Sequence, residues 1–429
     1  MAQQGRTESI TGYYIAEGPL RVKLIEGQLE VTGKNLNAKE EVVIPLAKAT
    51  LMESTCGAKV EIKGGGLITK LEASTIPREW LEFLDSISKR PCIVFTLGYI
   101  DSGKTFFVTY TANKLFSKGL KVSIVDCDIG QSDIGPPTTI GLGVLDRQVA
   151  FLDEVHPISA YFVGSTSPAG HLLPMVVGTA KLVSDAKCMS DVILIDTPGM
   201  VYGGPARAYQ LYAVEAIKPD VIAAFQRADE LKHLTKQLKA LGYEVIELPA
   251  SPWVKQRDRG DRRMLRERAF YNYFTKRGVV KHTLSLERIS IIGSFIGSGC
   301  EAPQEIVSAI ESMADCKIEY CEISHDAAVV ILSERPRSRD SYAKIRSAFA
   351  DKTVRAIVKG FEQGLVIGLM GDRGRLLDIG VLKELDVKNR RATIITPLKD
   401  VSGLKAIKLG CVRLDDEYRE VEKLEPGYV

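Results

Sequence analysis

GYIDSGKTFF (98–107) decides the fold of this chain, because it contains the spacing G-x-x-x-x-G-K-[ST]. Glycines at 98 and 103 let backbone N–H groups turn toward a phosphate. Lys104 supplies the neutralising charge, and the Thr105 hydroxyl is suited to ligating Mg²⁺. Asp101, Ser102 and Phe106 complete the expected nucleotide-binding run. The preceding IVFTL is apolar throughout and the following KTFFVTYTANKLFSKG has helical periodicity, ending at Gly119. A buried strand that opens a helix through such a loop is the setting in which the motif holds phosphate. The loop alone leaves open whether the γ-phosphate goes to water or to an acceptor.

Working outward, KVSIVD (121–126), DVILID (191–196), DVIAAFQ (220–226) and YEVIEL (243–248) are further continuous apolar runs separated by helical stretches. That alternation predicts a parallel sheet covered by helices on both faces, an α/β nucleotide-binding domain of the P-loop NTPase class over 79–280. Residues 11–75 alternate apolar and polar with period two, which predicts a small N-terminal β-sandwich-like domain over 1–78. PREWLEFLDSISKR reads as a short bridging helix. After about residue 281, runs such as AAVVILSE, GLVIGLMG and RATIITPL predict a mainly β C-terminal domain over 281–429, with a helix near 340–360.

Bulk composition agrees with a soluble, multidomain protein. The chain has 429 residues, 45% hydrophobic and 26% charged. No apolar run approaches the ~20 residues of a membrane span. MAQQGRTESITG lacks the layout of a signal peptide, and the eight scattered cysteines include no C-x-x-C, so a reduced cytoplasmic or nuclear setting is expected and a zinc site is not. The net charge of +3 points to nucleic acid only where it is locally concentrated.

Three further stretches carry chemistry. VDCDIGQ places Asp126 and Asp128 on the same side of an extended strand end. One carboxylate suffices to hold Mg²⁺; the second, with Gln131 close behind, suggests a base for an attacking hydroxyl or water. Asp133 reads as a turn cap. IDTPGM contains D-x-x-G, Asp196 to Gly199, which resembles the γ-phosphate sensor of GTPases. The guanine-reading N-K-x-D is replaced by QRAD (226–229), which disfavours a GTPase. Residues 255–281 hold ten Lys/Arg against three Asp/Glu, and a helix over 258–274 would align Arg259, Arg262 and Arg266. Such a helix suits a lid over a nucleotide or a grip on a nucleic-acid strand. The five histidines form no metal-spaced set, and no G-x-S-x-G occurs.

GYIDSGKT, VDCDIGQSDIGPPTTIG, YFVGSTSPAGH, TPGM and the arginine-rich segment follow one another in an order that resembles the polynucleotide 5′-hydroxyl kinases of RNA processing. The resemblance is specific from about residue 91 to 280. It implies ATP- and Mg²⁺-dependent transfer of the γ-phosphate to the 5′-hydroxyl of RNA, possibly of DNA, and RNA-processing protein partners. It also implies residue roles. Lys104 and Thr105 match the phosphate-loop pair, Asp128 the activating carboxylate, and Asp126 the Mg²⁺ shell that Thr105 and Asp128 also border. Arg257 and Arg262 match the two arginines of the lid (255–274). Gln131 and Thr166 match contacts to the terminal nucleotide, and Thr197 and Met200 fall in the substrate clasp, where the family carries a tryptophan in place of Met200. The rival readings are an NTPase switch without a nucleic-acid acceptor and an ATP-bound scaffold of an RNA-processing complex.

Overall fold

The computed structural model describes residues 5–251, 253, 258–349 and 351–425. The described chain forms two compact units. The first comprises residues up to Val163 and Ser167–Arg266; the second comprises Gly164–Thr166 and Glu267 onward.

In the first unit, strands between Arg6 and Leu71 make a twisted antiparallel sheet centred on Ala49–Gly64. Its alternating side chains, among them Val22, Leu24, Val60 and Ile62, are buried and supply their own apolar core. Helix Arg78–Ile87 follows, and its Trp80 is 1% exposed. Trp80 meets Phe107 and Phe225 edge-on at 5.1 and 5.5 Å and donates from Nε1 to the Pro249 carbonyl at 3.0 Å. The apolar body is packed and the one polar atom is satisfied.

The α/β sheet consists of β1 (Cys92–Gly98), β2 (Val122–Asp126), β3 (Thr139–Val144), β4 (Pro157–Phe162), β5 (Val192–Asp196), β6 (Val221–Gln226) and β7 (Val245–Pro249), in the order β4-β3-β2-β5-β1-β6-β7. β2, β5, β1, β6 and β7 are parallel; the side chains of the first four are almost all buried because helices cover both faces, while β7, at the sheet edge, buries only Leu248. The helices are α1 (Lys104–Ser117), α2 (Leu172–Ala186), α3 (Gly204–Ile217) and α4 (Lys232–Ala240). Gly119, with φ of 83°, follows the end of α1 in the left-handed conformation that ends helices.

β3 and β4 add two antiparallel strands that apolar periodicity alone did not announce. TIGLGV hides its strand character behind two glycines. A Cβ on Gly141 would lie 1.8 Å from the Ile134 carbonyl oxygen, so the backbone approach itself requires glycine there.

Helix α5 (Arg259–Arg277) leads from the first unit into the second. The second unit holds a mainly antiparallel sheet built around Leu365–Met370 and Leu376–Asp386, in which Ser290–Ile292 pairs in parallel with Ala406–Leu414, and a smaller four-stranded sheet. The smaller sheet contains β8 (Ala327–Leu332) and β9 (Thr353–Val358), joined in parallel through α6 (Asp340–Ser347). A further helix, Gln304–Ala314, packs on this sheet through Ile310 and Ala314, so the unit contains more helix than the strand-rich sequence suggested.

Candidate nucleotide and acceptor site

Parallel packing brings the carboxyl ends of β1, β2 and β5 to one edge of the sheet. Asp126 and Asp196 are register partners on adjacent strands, and Gly98 ends the next strand over. The chain therefore delivers two carboxylates and the phosphate loop to one place, in the crevice where open α/β sheets bind ligands.

The loop itself is a tight cradle. Asp101 and Gly103 have φ of 54° and 95°, a pairing of left-handed residues that turns amides inward. A Cβ on Gly98 would sit 2.5 Å from Ser102 Oγ and 3.1 Å from Phe225, so side chains are excluded there. The buried Ser102 Oγ has no hydrogen-bond partner among the described residues. The Ser102 carbonyl is capped by the Ser251 N–H at 3.2 Å. Phe106 is half-buried against Trp80 and Tyr110 at 6.0 and 6.4 Å between ring centroids.

Lys104 is 6% exposed and donates to the carbonyls of Gly98 and Tyr99, both at 2.9 Å. Burial lowers its pKa, opposed by the negative charges of Asp196, Asp128 and Asp101. Thr105 donates its hydroxyl to Asp196 Oδ2 at 2.6 Å. Asp196 is 2% exposed, and burial pushes its carboxyl up to about 7 against the Thr105 hydrogen bond and the Lys104 charge. Its other oxygen, Oδ1, is buried without a partner among the described residues.

Asp126 is saturated by backbone. Its Oδ1 accepts the Asp128 N–H at 3.0 Å, and its Oδ2 accepts the N–H groups of Asp133 and Ile134 at 2.7 and 3.0 Å. Burial, with the charges of Asp196 and Asp133, raises its pKa well above the carboxylate range. Asp128 is half-buried and accepts the Gly130 N–H at 3.0 Å. Its pKa is raised by burial and held back by Lys104.

These groups suit a nucleotide with Mg²⁺. Among the described residues no three His, Cys, Asp or Glu side chains form a preformed metal cage. Mg²⁺ in nucleotide sites rests on one or two carboxylates or hydroxyls together with phosphates and water, and Thr105 beside the unpartnered Asp196 Oδ1 is such a donor set. The D-x-x-G context of Asp196 points to a phosphate sensor in the sequence, and the structure sets its carboxylate against the Thr105 hydroxyl of the phosphate loop. The glycine of that motif has a steric reason: a Cβ on Gly199 would lie 2.6 Å from the Ile100 backbone N, so IDTPG runs directly against the phosphate loop.

Thr197 is buried and donates to the Thr96 carbonyl at 2.6 Å. Met200 is half-buried against the core, and its carbonyl accepts from Gln210 Nε2 at 3.0 Å. The exposed Tyr202 lies next in line, between Tyr99 at 5.1 Å and His233 at 5.7 Å between ring centroids. Gln131 is half-buried, and its N–H donates to the Asp128 carbonyl at 3.0 Å. Thr166 belongs to the second unit, where it donates to Glu420 Oε2 at 3.1 Å.

The basic segment is helical over Arg259–Arg277. Arg262 donates to Asp101 Oδ2 at 2.9 Å, which ties this helix to the phosphate loop. Arg259 is exposed and Arg266 half-buried, while Arg257 lies outside the described residues. QRAD does other work than reading guanine. Gln226 donates to Glu247 at 2.7 Å, Arg227 donates to the Asp101 carbonyl at 2.9 Å, and Asp229 pairs with Lys232 at 3.1 Å.

Lys48 was invisible to motif reading. It comes from the N-terminal sheet region and bonds Asp133 at 2.9 Å and Asp153 at 3.0 Å. The two carboxylates push its pKa up to about 12 despite burial, so it stays charged. Asp133 is therefore an ion-pair partner whose own N–H helps hold Asp126.

Residues 98–276 match the family model described as the mRNA cleavage and polyadenylation factor CLP1 P-loop. A polyribonucleotide 5′-hydroxyl-kinase of Pyrococcus furiosus is 32% identical over 346 residues, covering 79% of this chain and 92% of that protein. The chain belongs to this family. A polyribonucleotide 5′-hydroxyl-kinase of Methanocaldococcus jannaschii is 30% identical, over 84% of this chain and 98% of its own length. The structure of Clp1p in complex with a Pcf11p fragment superposes with a TM-score of 0.63 at 14% identity, covering 96% of this chain and 99% of that one, which is a likeness of fold. No helix among the described residues is long and apolar enough to cross a membrane.

Proposed function

We propose that this family member is an ATP-dependent polyribonucleotide 5′-hydroxyl kinase. The observation that carries the site reading is the pairing of the buried Lys104, on the phosphate loop after β1, with the half-buried Asp128 after β2, two strands over across β5, coupled by charge. One group is placed for the phosphates and the other for a proton.

Gly98, Asp101, Ser102, Gly103, Lys104, Thr105 and Phe106 bind ATP. Thr105 and Asp196, with Asp126 and Asp128 nearby, would hold Mg²⁺, which neutralises phosphate charge when bound. Lys104 leaves its two carbonyl partners for the β- and γ-phosphates. The acceptor's 5′-hydroxyl oxygen forms the new bond to the γ-phosphorus, the bond from that phosphorus to the β–γ bridging oxygen breaks, and ADP departs. The hydroxyl proton passes to Asp128, whose raised pKa makes it a better proton acceptor than an ordinary carboxylate. Arg262, held at the loop by Asp101, and Arg257 neutralise charge on the transferring group. Gln131, Thr197 and Met200 position the terminal nucleotide. The Clp1p–Pcf11p structure supports a role for protein partners as well.

The test is transfer of label from γ-labelled ATP to 5′-hydroxyl RNA and DNA oligonucleotides, with 5′-phosphorylated ones as controls. Label on hydroxyl ends alone is expected, with RNA the better acceptor. ATP hydrolysis that proceeds equally without any oligonucleotide would establish the NTPase switch instead.

A further inference from the structure

We propose that the β8–α6–β9 crossover of the second unit carries a surface that binds RNA phosphates, built on Arg335, Arg337 and Arg339 and continued along α6 by Lys344 and Arg346. RPRSRDSYAKIR (335–346) holds five cations and one acid, a balance of +4 in a chain whose whole net charge is +3. No motif of the phosphate-transfer site accounts for it.

The fold explains why these charges stand out. β8 is buried along its whole length and pairs in parallel with β9, so its carboxyl end and the start of α6 lie at one edge of the small sheet. Pro336 limits the loop's freedom, and Arg335, Arg337 and Arg339 are all exposed. Arg339 and Arg346 are seven residues apart on helical backbone, so they lie on the same side of α6, about 10 Å apart along its axis.

The neighbouring cations of this sheet are already engaged. Lys317 pairs with Glu311, Lys359 with Glu319, and the Arg355 guanidinium lies over Phe295 at 5.0 Å. Lys359 stands at the same sheet edge, since its N–H donates to the Leu332 carbonyl at 2.8 Å. By contrast, none of Arg335, Arg337, Arg339, Lys344 and Arg346 forms an ion pair among the described residues. Five exposed cations that form no ion pair among the described residues, three of them on one short loop, repel one another unless a polyanion joins them. Arginine forks suit phosphate oxygens in particular. The choice of RNA among polyanions rests on the kinase reading.

The test separates grip from chemistry. Binding of a single-stranded, 5′-phosphorylated RNA of about thirty nucleotides is followed by fluorescence anisotropy across a salt series. In the same preparations, transfer to a short 5′-hydroxyl oligonucleotide is measured. The triple variant Arg335→Ala, Arg337→Ala, Arg339→Ala is expected to bind the long RNA at least about tenfold more weakly. Its log K against log salt should be shallower by about 2, three phosphate contacts at about 0.7 each. Transfer to the short acceptor should stay within about twofold of wild type. The triple lysine variant keeps the charges and should keep most of the affinity and slope, which separates lost contacts from a damaged loop. Unchanged long-RNA affinity and slope in a folded triple alanine variant would overturn the proposal. So would weaker binding to polyglutamate with RNA binding intact, which would assign the loop to an acidic protein. If the wild type binds the long RNA through these arginines but labels no 5′-hydroxyl end, the kinase reading fails and the surface stands.

Discussion

The turn from β1 into α1 and the turn from β8 into α6 share a plan: a buried strand with a parallel neighbour ends in a cation-bearing loop that starts a helix. They treat their cations in opposite ways. In the first, glycines fold the loop inward, and Lys104 is buried on two carbonyls with three aspartates acting on it. In the second, no glycine interrupts SERPRSRD, and its arginines project into solvent. An inward cation gains strength from low dielectric and depends on every neighbour that desolvates it. An outward one depends on its own loop and on salt. The first arrangement suits chemistry on one phosphoryl group, and the second suits a graded hold on many phosphates.

That contrast can be broken most sharply at Lys104. Lys104→Ala should lower transfer by at least about 10²-fold, the scale of losing one preorganised donor to a developing charge, as measured by initial rates on a short acceptor. Arg337→Ala in the same assay should change little. Asp128→Asn should also lose about 10²-fold or more in turnover, with ATP affinity nearly kept, because only the proton's destination is removed. Full transfer by that variant would sink the base assignment.

A smaller effect is expected at Lys48. Lys48→Met leaves Asp133 and Asp153 without their shared cation and loosens the loop whose amides hold Asp126. Turnover should fall about tenfold with the KM for ATP nearly unchanged, and Lys48→Arg should recover part of it. A drop in Tm without any change in turnover would reduce Lys48 to a purely structural role.

The smallest effect is on stability. Asp196 is held at about 7 in the fold against 3.8 ordinarily, so folding takes up a proton between those values. The favourable contribution is complete below about pH 4 and is lost as pH rises through about 7. In metal-free buffer, Asp196→Asn should therefore raise Tm by a few degrees at about pH 8 and by much less at about pH 5. Asp126 and Asp128 shift in the same direction, so part of the wild-type pH dependence will remain in the variant.

Much of this was legible in residues alone. Apolar strands spaced by helices announced the α/β sheet because burial on both faces leaves no alternation to misread. GYIDSGKT announced the cradle because left-handed turns and close phosphate approach demand glycine at fixed spacing. TIGLGV escaped because its glycines serve backbone contact and lower the apparent hydrophobicity of a buried strand. The helix over 304–314 escaped because only Ile310 and Ala314 of its length are buried.

By itself, then, the sequence determined the phosphate loop, the carboxylate strand end and the concentration of positive charge, since each is set by residues near one another in the chain. Tertiary structure decided which acids face Lys104. Parallel register set Asp196 beside Asp126, 70 positions earlier in the chain, and Lys48 reached Asp133 across a separation of 85. Charge coupling acts through space and burial, and neither has a spacing along the chain.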